Sequence, residues 1–400
     1  MLETYQEKTH ELRNRILFTL MVLAVYVVGK GIPLYGIDAG VRTGRDAQSV
    51  LLSMLSGDRY QETVMALGVM PYINASVLVQ VIASMRTSDA RARLSHRIMD
   101  RWTGVLTLVL GAVFAYFQSG RVVSRAAIGN PGLVRPIVMA EMIGGAMLIY
   151  FLCRENTDRG IGASLPPILL NIVDSIVATI RSEHYQIYWE LWLLSAVAAA
   201  VMLFMENKTV KIPVQRVSVH NIHADKNYIA YKLNPIGVMP VMLATAVMTI
   251  PQILLIGLSF AMPWNQTVNY AAQNLVLSKP LGVIVYLCIL MAFTVGFSFI
   301  MLSPGDTAKQ LQRNGDSIVG VYAGKKTSRY LRHTLLRLSI LSGLVQCVFM
   351  GISLGLSLQG TIPDEFSMMP ATVMILVSMG CSLAQEIYAY YRYDSYRFFF

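Results

Sequence analysis

The sequence predicts an all-α polytopic membrane protein, with ten transmembrane helices in two inverted five-helix halves. Three observations carry that prediction. The 400 residues are 54 % hydrophobic and only 14 % charged, where soluble domains carry roughly 25 % charged residues. Uncharged apolar runs of about 20 residues recur along the chain, each long enough to cross a hydrocarbon core roughly 30 Å thick as a helix. A Gly-Val-Met-Pro element occurs twice, at equivalent places in the two halves. With a mean hydropathy of +0.51, the composition excludes a secreted disulfide scaffold, a disordered chain and an ordinary cytosolic enzyme.

The spans fall at about 16–32, 64–84, 102–119, 137–153, 161–180, 190–206, 236–262, 281–302, 335–357 and 369–391. They must be helices, because lipid offers no partner for backbone N–H and C=O groups and the runs are too long for barrel strands. The halves are residues 1–189 and 190–400. A charged arm (Glu3 to Arg15) precedes the first run and no small-residue cleavage site follows it, so that run reads as a span and not as a cleavable signal. With both termini in the cytoplasm, the outside segments carry only Arg42, Arg45, Arg59, Arg121, Arg125, Arg135, Arg181 and Lys279 of the 33 Lys and Arg. The inside segments carry most of the rest, as the positive-inside rule requires.

Span two contains Gly68-Val69-Met70-Pro71, then Ala75-Ser76; span seven contains Gly237-Val238-Met239-Pro240, then Ala244-Thr245. A tetrapeptide can recur by chance in an apolar chain. Placement at equivalent spans gives it weight: five spans is an odd number, so the second half enters the membrane upside down relative to the first. A proline inside a span frees a carbonyl and kinks or breaks the helix. Two such breaks at matched places are either structural kinks or the walls of a central pathway.

Ionisable groups at mid-depth are few. Glu141, Asp174, Lys30, Arg337 and Glu386 all lie towards span ends. A pump or ion-coupled transporter needs such groups; a neutral apolar pathway seals by steric fit and dewetting instead. Motifs for energy coupling and catalysis are missing, so no cofactor is expected and any energy comes from a partner. Gly320 to Thr327 resembles a phosphate loop only superficially, with three residues between its glycines where four are needed. Cys153, Cys288, Cys347 and Cys381 lack CxxC spacing, and the His220 and His223 pair reads as a solvated loop, so no metal centre is expected. The sequon at Asn207 sits on the inner side and is discounted.

Two inside loops, 207–233 and 303–333, are long and basic. They serve as topology determinants alone, or together as one positive docking face for a cytosolic partner. Outside, residues 33–63 contain an apolar stretch from Ser49 to Gly57 that reads as a short helix ended by glycine. Too short to span, it lies on the membrane surface or folds back between the halves.

Several stretches resemble the SecY family of protein-conducting channels. They are Leu12-Arg13-Asn14-Arg15-Ile16, Ile32-Pro33 with Gly36-Ile37-Asp38, and Leu67 through Ser76. Thr157-Asp158-Arg159-Gly160-Ile161-Gly162, Asn234-Pro235-Ile236 into Gly237 to Pro240, and Ser303-Pro304 continue the likeness. Gly324-Lys325-Lys326-Thr327, Tyr330-Leu331 and Leu336-Arg337-Leu338 complete it, in order, over nearly the whole chain.

The resemblance implies a clamshell around an hourglass pore, plugged from outside by residues about 47–58, with a lateral gate between helices two and three and helices seven and eight. It implies a waist ring of Val69, Ile73, Leu165, Leu169, Met242 and Met374. The two methionines, where isoleucine is usual, make that ring more adaptable in shape. Asn74, Gln118 and Thr245 would lie along the gate, and Arg313, Lys325, Lys326 and Arg329 would meet a SecA-type motor ATPase. Other implied partners are small accessory or SecE-like membrane subunits, the unfolded secretory polypeptide and the lipid bilayer, with no nucleic acid. Tyr322 and Ala323 stand where the housekeeping member has arginine and proline, and the chain is short. In this it resembles the accessory branch of Gram-positive bacteria, which exports serine-rich glycoprotein adhesins. The expected location is the bacterial cell membrane. Rival readings are a housekeeping SecY for general secretion and a small-solute secondary transporter with inverted repeats.

Overall fold

A computed structural model describes residues 11–36, 63–84, 96–123, 131–181, 189–216, 227–237, 239–242, 244, 247–248, 255, 258, 264–322, 324–363 and 366–396. In chain order the elements are α1 (Glu11–Lys30), α2 (Met70–Ser84), α3 (His96–Val123), α4 (Pro131–Arg159), α5 (Leu165–Arg181) and α6 (Trp189–Asn207). Strands β1 (Thr209–Arg216) and β2 (Tyr228–Lys232) follow, then α7 (Gln266–Asn274), α8 (Pro280–Leu302) and α9 (Pro304–Asn314). The last are β3 (Asp316–Ile318), α10 (Lys325–Leu358) and α11 (Met369–Tyr396). Among the described residues seven helices are long and apolar enough to cross a membrane, and Leu165–Val177 is a shorter apolar helix. Span seven is described only in part, from Met239.

The chain forms two compact units: Met1–Ala83 with Ala92–Ile187 and Met379–Phe400, and Ser84–Arg91 with Tyr188–Ser378. In the first, α3 packs along α4, and α1 packs on α4 and α5. Its core gathers Leu34, Ala66, Leu67, Ala115, Val134, Val138, Met142 and Ala146. In the second, α8 lies along α10, which also packs on α6 and α9.

Helix ends follow local chemistry. Glu11 and Lys30 complement the dipole at the two ends of α1. Ser303, at φ 37°, ends α8 and starts α9, whose first residue is Pro304; a proline there loses no helical hydrogen bond.

The same rule corrects the expectation of broken spans. Residues 64–69 are turns, closed by Ala66 N–H to Thr63 O (3.0 Å) and Gly68 N–H to Met65 O (2.8 Å). Helix α2 begins only at Met70, so Pro71 sits in its first turn and starts the helix instead of breaking it. In the second unit Gly237 is a turn residue and the helix is described from Met239, which puts Pro240 in a first turn too.

One sheet was not expected. Strands β2-β1-β3 form an antiparallel three-stranded sheet that joins the 207–233 loop to the 303–333 loop. Along β1 the odd positions from Thr209 to Gln215 are exposed, whereas Val210, Ile212 and Val214 turn inward, the period of two that a half-buried strand requires. Pro213, lacking an N–H, sits where β1 changes partner. It closes the register with β2 opposite Tyr228, and pairing with β3 begins at Val214 opposite Ile318. Beneath the sheet Ile212, Tyr231, Ala308, Ile318, Leu331 and Leu338 form a separate apolar core.

Candidate functional site

Four residues expected at the waist belong to the first unit, each at the start of a helix. Val69 immediately precedes α2, and the Ile73 N–H donates to its carbonyl at 3.0 Å, so both share one helical turn. Leu165 opens α5, its N–H donating to Gly162 O at 2.7 Å, and Leu169 follows one turn later. Val69 and Ile73 are buried; Leu165 and Leu169 are half-buried. Met242 and Met374 are buried in the second unit. Asn74 and Gln118 are half-buried on α2 and α3. Thr245, Ala323 and residues 47–58 lie outside the described residues.

Each unit clamps the starts of its helices. In the first, the turn before α2 is tied by the Pro33–Thr63 bridge and the Val64 N–H to Ile32 O bond (3.0 Å). Gly145 of α4 lies against it so closely that a Cβ there would overlap the Val64 carbonyl. The turn before α5 is held by buried Asn156, whose amide donates to Ile161 O (3.0 Å) and Ala163 O (2.7 Å). Thr19 bridges Asn156 Oδ1 (2.9 Å) and the Ile161 N–H (2.9 Å). Gly162, at φ 75°, donates its N–H to Glu386. Lys30 and Asp174, read separately in the sequence as charges near span ends, form one ion pair at 2.7 Å, and Lys30 also reaches Asn171.

In the second unit the clamp is a buried polar network. Glu206 closes α6 and is 1 % exposed. Asn234 donates to its Oε1 at 3.0 Å, the Ser378 hydroxyl donates to the same oxygen, and Lys232 Nζ stands 3.6 Å from Oε2. Ser342 donates to Asn234 Oδ1 at 2.7 Å, and Gln346 Nε2 donates to Ser342 Oγ (3.4 Å) and to the Gly237 carbonyl (3.3 Å). The sequence reading passes over Glu206. The available signal was its place as the lone carboxylate ending an otherwise uncharged run from Leu191.

The expected docking residues are all exposed: Arg313 in the last turn of α9, Lys325, Lys326 and Arg329 in the first turns of α10. At 34 residues, α10 is about 51 Å long, longer than the apolar span it contains. Its first turns carry Lys325, Lys326 and Arg329 ahead of the apolar stretch, joined by exposed Arg332. Lys326 lies over the Tyr322 ring, 4.7 Å from its centroid, and the Thr327 hydroxyl donates to the Tyr322 carbonyl at 3.0 Å. Burial beneath the sheet pushes the Tyr231 phenol above its ordinary value.

The sequence pattern of the SecY family matches residues 63–384. The accessory Sec system protein translocase subunit SecY2 of Leuconostoc gelidum subsp. gasicomitatum is 24 % identical, over 97 % of this chain and 96 % of its own length. The protein of the same name from Streptococcus pneumoniae serotype 4 is 26 % identical over 95 % and 96 %. Protein translocase subunit SecY 1 of Lactobacillus kefiranofaciens is 27 % identical over 95 % of each chain. Among solved structures, a protein-conducting channel superposes with a TM-score of 0.68 at 17 % identity, covering 94 % of this chain and 92 % of that one. Sec61 from the canine ribosome–channel complex gives 0.64 at 16 % identity, with the same coverage. These likenesses displace the small-solute transporter reading. A multi-pass protein of a bacterial membrane, and a channel instead of an enzyme, the chain belongs to the SecY family.

Proposed function

We propose that this SecY-type channel conducts unfolded polypeptide across the cell membrane under the drive of a cytosolic SecA-type ATPase, as the channel of an accessory system that exports serine-rich glycoprotein adhesins. Both termini and the loop sheet then face the cytoplasm. The observation that carries the reading is the sheet itself. By pairing β1 with β3 it makes one body of the two basic loops, and Arg313, Lys325, Lys326 and Arg329 stand exposed on it. Such a face attracts an acidic partner over several ångströms. The accessory assignment is supported by the SecY2 relatives of Leuconostoc and Streptococcus and by exposed Tyr322. The SecY 1 relative favours the second reading, a housekeeping channel. Deleting the gene separates the two: general secretion continues and one passenger class leaves the cell surface, or the cell does not grow.

The halves 1–189 and 190–400 would close around Val69, Ile73, Leu165, Leu169, Met242 and Met374. Residues 47–58 would plug that waist, and Asn74, Gln118 and Thr245 would line the lateral gate. Small SecE-like or accessory membrane subunits complete the assembly. Replacing Lys325 and Lys326 by Glu is expected to abolish co-purification of the motor while leaving membrane insertion intact; undiminished co-purification rejects the docking site. Replacing Ile73 and Leu169 by Gly is expected to make the resting channel leak ions, and unaltered conductance in planar bilayers rejects the waist.

A further inference from the structure

Glu206 occupies a position that neither the waist nor the docking face accounts for. It is a buried carboxylate at the junction of four elements: its own α6, strand β2 through Lys232, the turn leading into span seven through Asn234, and α11 through Ser378. Among the described residues Glu206 has three such partners, of which Asn234 and Ser378 are neutral. The third, Lys232, is part of the loop sheet, and its side chain is 34 % exposed. The turn itself lies against the carboxylate. A Cβ on Gly237, which holds φ 70°, would stand 3.4 Å from Glu206 Oε1 and 3.0 Å from Ser378 Oγ. The network then continues from Asn234 through Ser342 and Gln346 back to the Gly237 carbonyl.

We propose that Glu206 is a positioning residue that couples the loop sheet to the start of span seven, with Lys232 as its release point for an acidic group on a cytosolic partner. The proposal rests on the reading that the sheet is a cytoplasmic docking face. The physics is that of an ion pair whose carboxylate is buried and whose amine reaches solvent. A carboxylate at 1 % exposure is tolerated while its counter-charge is present and becomes strongly unfavourable when that charge is removed. An acidic group that draws the half-exposed Lys232 outward leaves Glu206 with two neutral donors. Glu206 then leaves its site, and the bonds that fix Asn234 and the Gly237 turn go with it. Docking is thereby converted into freedom at the first turn of a pore helix, with no contact between partner and pore.

The test uses the purified channel in planar bilayers with three variants: Lys232→Gln, Glu206→Gln and the pair. Lys232→Gln imitates withdrawal of the amine and is expected to raise resting ion conductance several-fold. Glu206→Gln removes the charge that needs Lys232 but keeps Oε1 as an acceptor for Asn234 and Ser378, so it and the pair are both expected to conduct at the resting level. Suppression of one variant by the other is an outcome that additive structural damage does not give. Unchanged conductance in Lys232→Gln overturns the proposal, as does a pair as leaky as Lys232→Gln. Should Glu206→Gln fail to insert, Lys232→Gln decides alone, since its half-exposed position accommodates glutamine. An Ile73→Gly channel in the same bilayers separates this coupling from the channel reading: a leak there with a silent Lys232→Gln rejects only the coupling.

Discussion

Gly68 and Gly237 both adopt the left-handed backbone, at φ 51° and 70°, and each precedes a helix whose first turn contains a proline. At the described positions both copies of Gly-Val-Met-Pro share a plan: a glycine in a conformation that other residues adopt only with strain, then a proline with its φ preset for a helix. What surrounds the two turns differs. The first lies beside Leu67 and Ala66 in an apolar core and under the backbone of α4 at Gly145. The second is held by Glu206, Asn234, Ser342, Gln346 and Ser378. Close apolar packing has no charge to lose and yields only by breaking contacts. A network around one ion pair can be undone by a single competing charge. The first proline turn is thus held by apolar packing and backbone bonds, the second by a network centred on one charge.

The largest expected effect attacks the apolar clamp. Gly145→Ala places a Cβ on the Val64 carbonyl, a backbone atom that cannot rotate away. Overpacking of this kind costs about 3 kcal/mol, which an apparent melting curve in detergent reads as a large downward shift. The adjacent Gly144, whose Cβ would meet nothing within 4 Å, is the control. There alanine is expected to stabilise by up to about 1 kcal/mol through helix propensity. Equal behaviour of the two variants would remove the basis for calling the first turn rigidly packed.

Most of the helical plan was legible because apolar run length is set by bilayer thickness, and the sequence carries that length without tertiary context. Boundaries were less legible. Hydropathy starts span two at 64, yet residues 64–69 are turns whose apolar side chains are mostly as well buried as those of the helix, and hydropathy cannot separate the two. The sheet was hidden for another reason. Its strands lie in loops recognised by charge, and Pro213 argues against a central strand unless the register shift beside it is known. Spacing and resemblance single out the apolar positions and the cations of the proposed site. Glu206 shows in the sequence only as a lone carboxylate ending an apolar run; its burial depends on Asn234, Ser342 and Ser378, which reach it from 28 to 172 residues away along the chain or through one another. A network assembled from distant segments leaves no local pattern.

The smallest expected effect sharpens the reading of the prolines. A proline inside a span removes a hydrogen bond and clashes with the preceding turn, so replacing it by alanine should stabilise the helix by about 3 kcal/mol. A proline in the first turn has no helical partner for its N–H to lose, and its fixed φ reduces the freedom of the unfolded chain. Replacement there changes stability by less than about 1 kcal/mol, in the destabilising direction. Pro71→Ala and Pro240→Ala are therefore both expected to lower the apparent melting temperature slightly and by similar amounts, since both prolines sit in a first turn. Marked stabilisation by either would mean that its helix starts earlier than the turn at Gly68 or Gly237 allows, and the two halves would then differ in backbone as well as in what holds it.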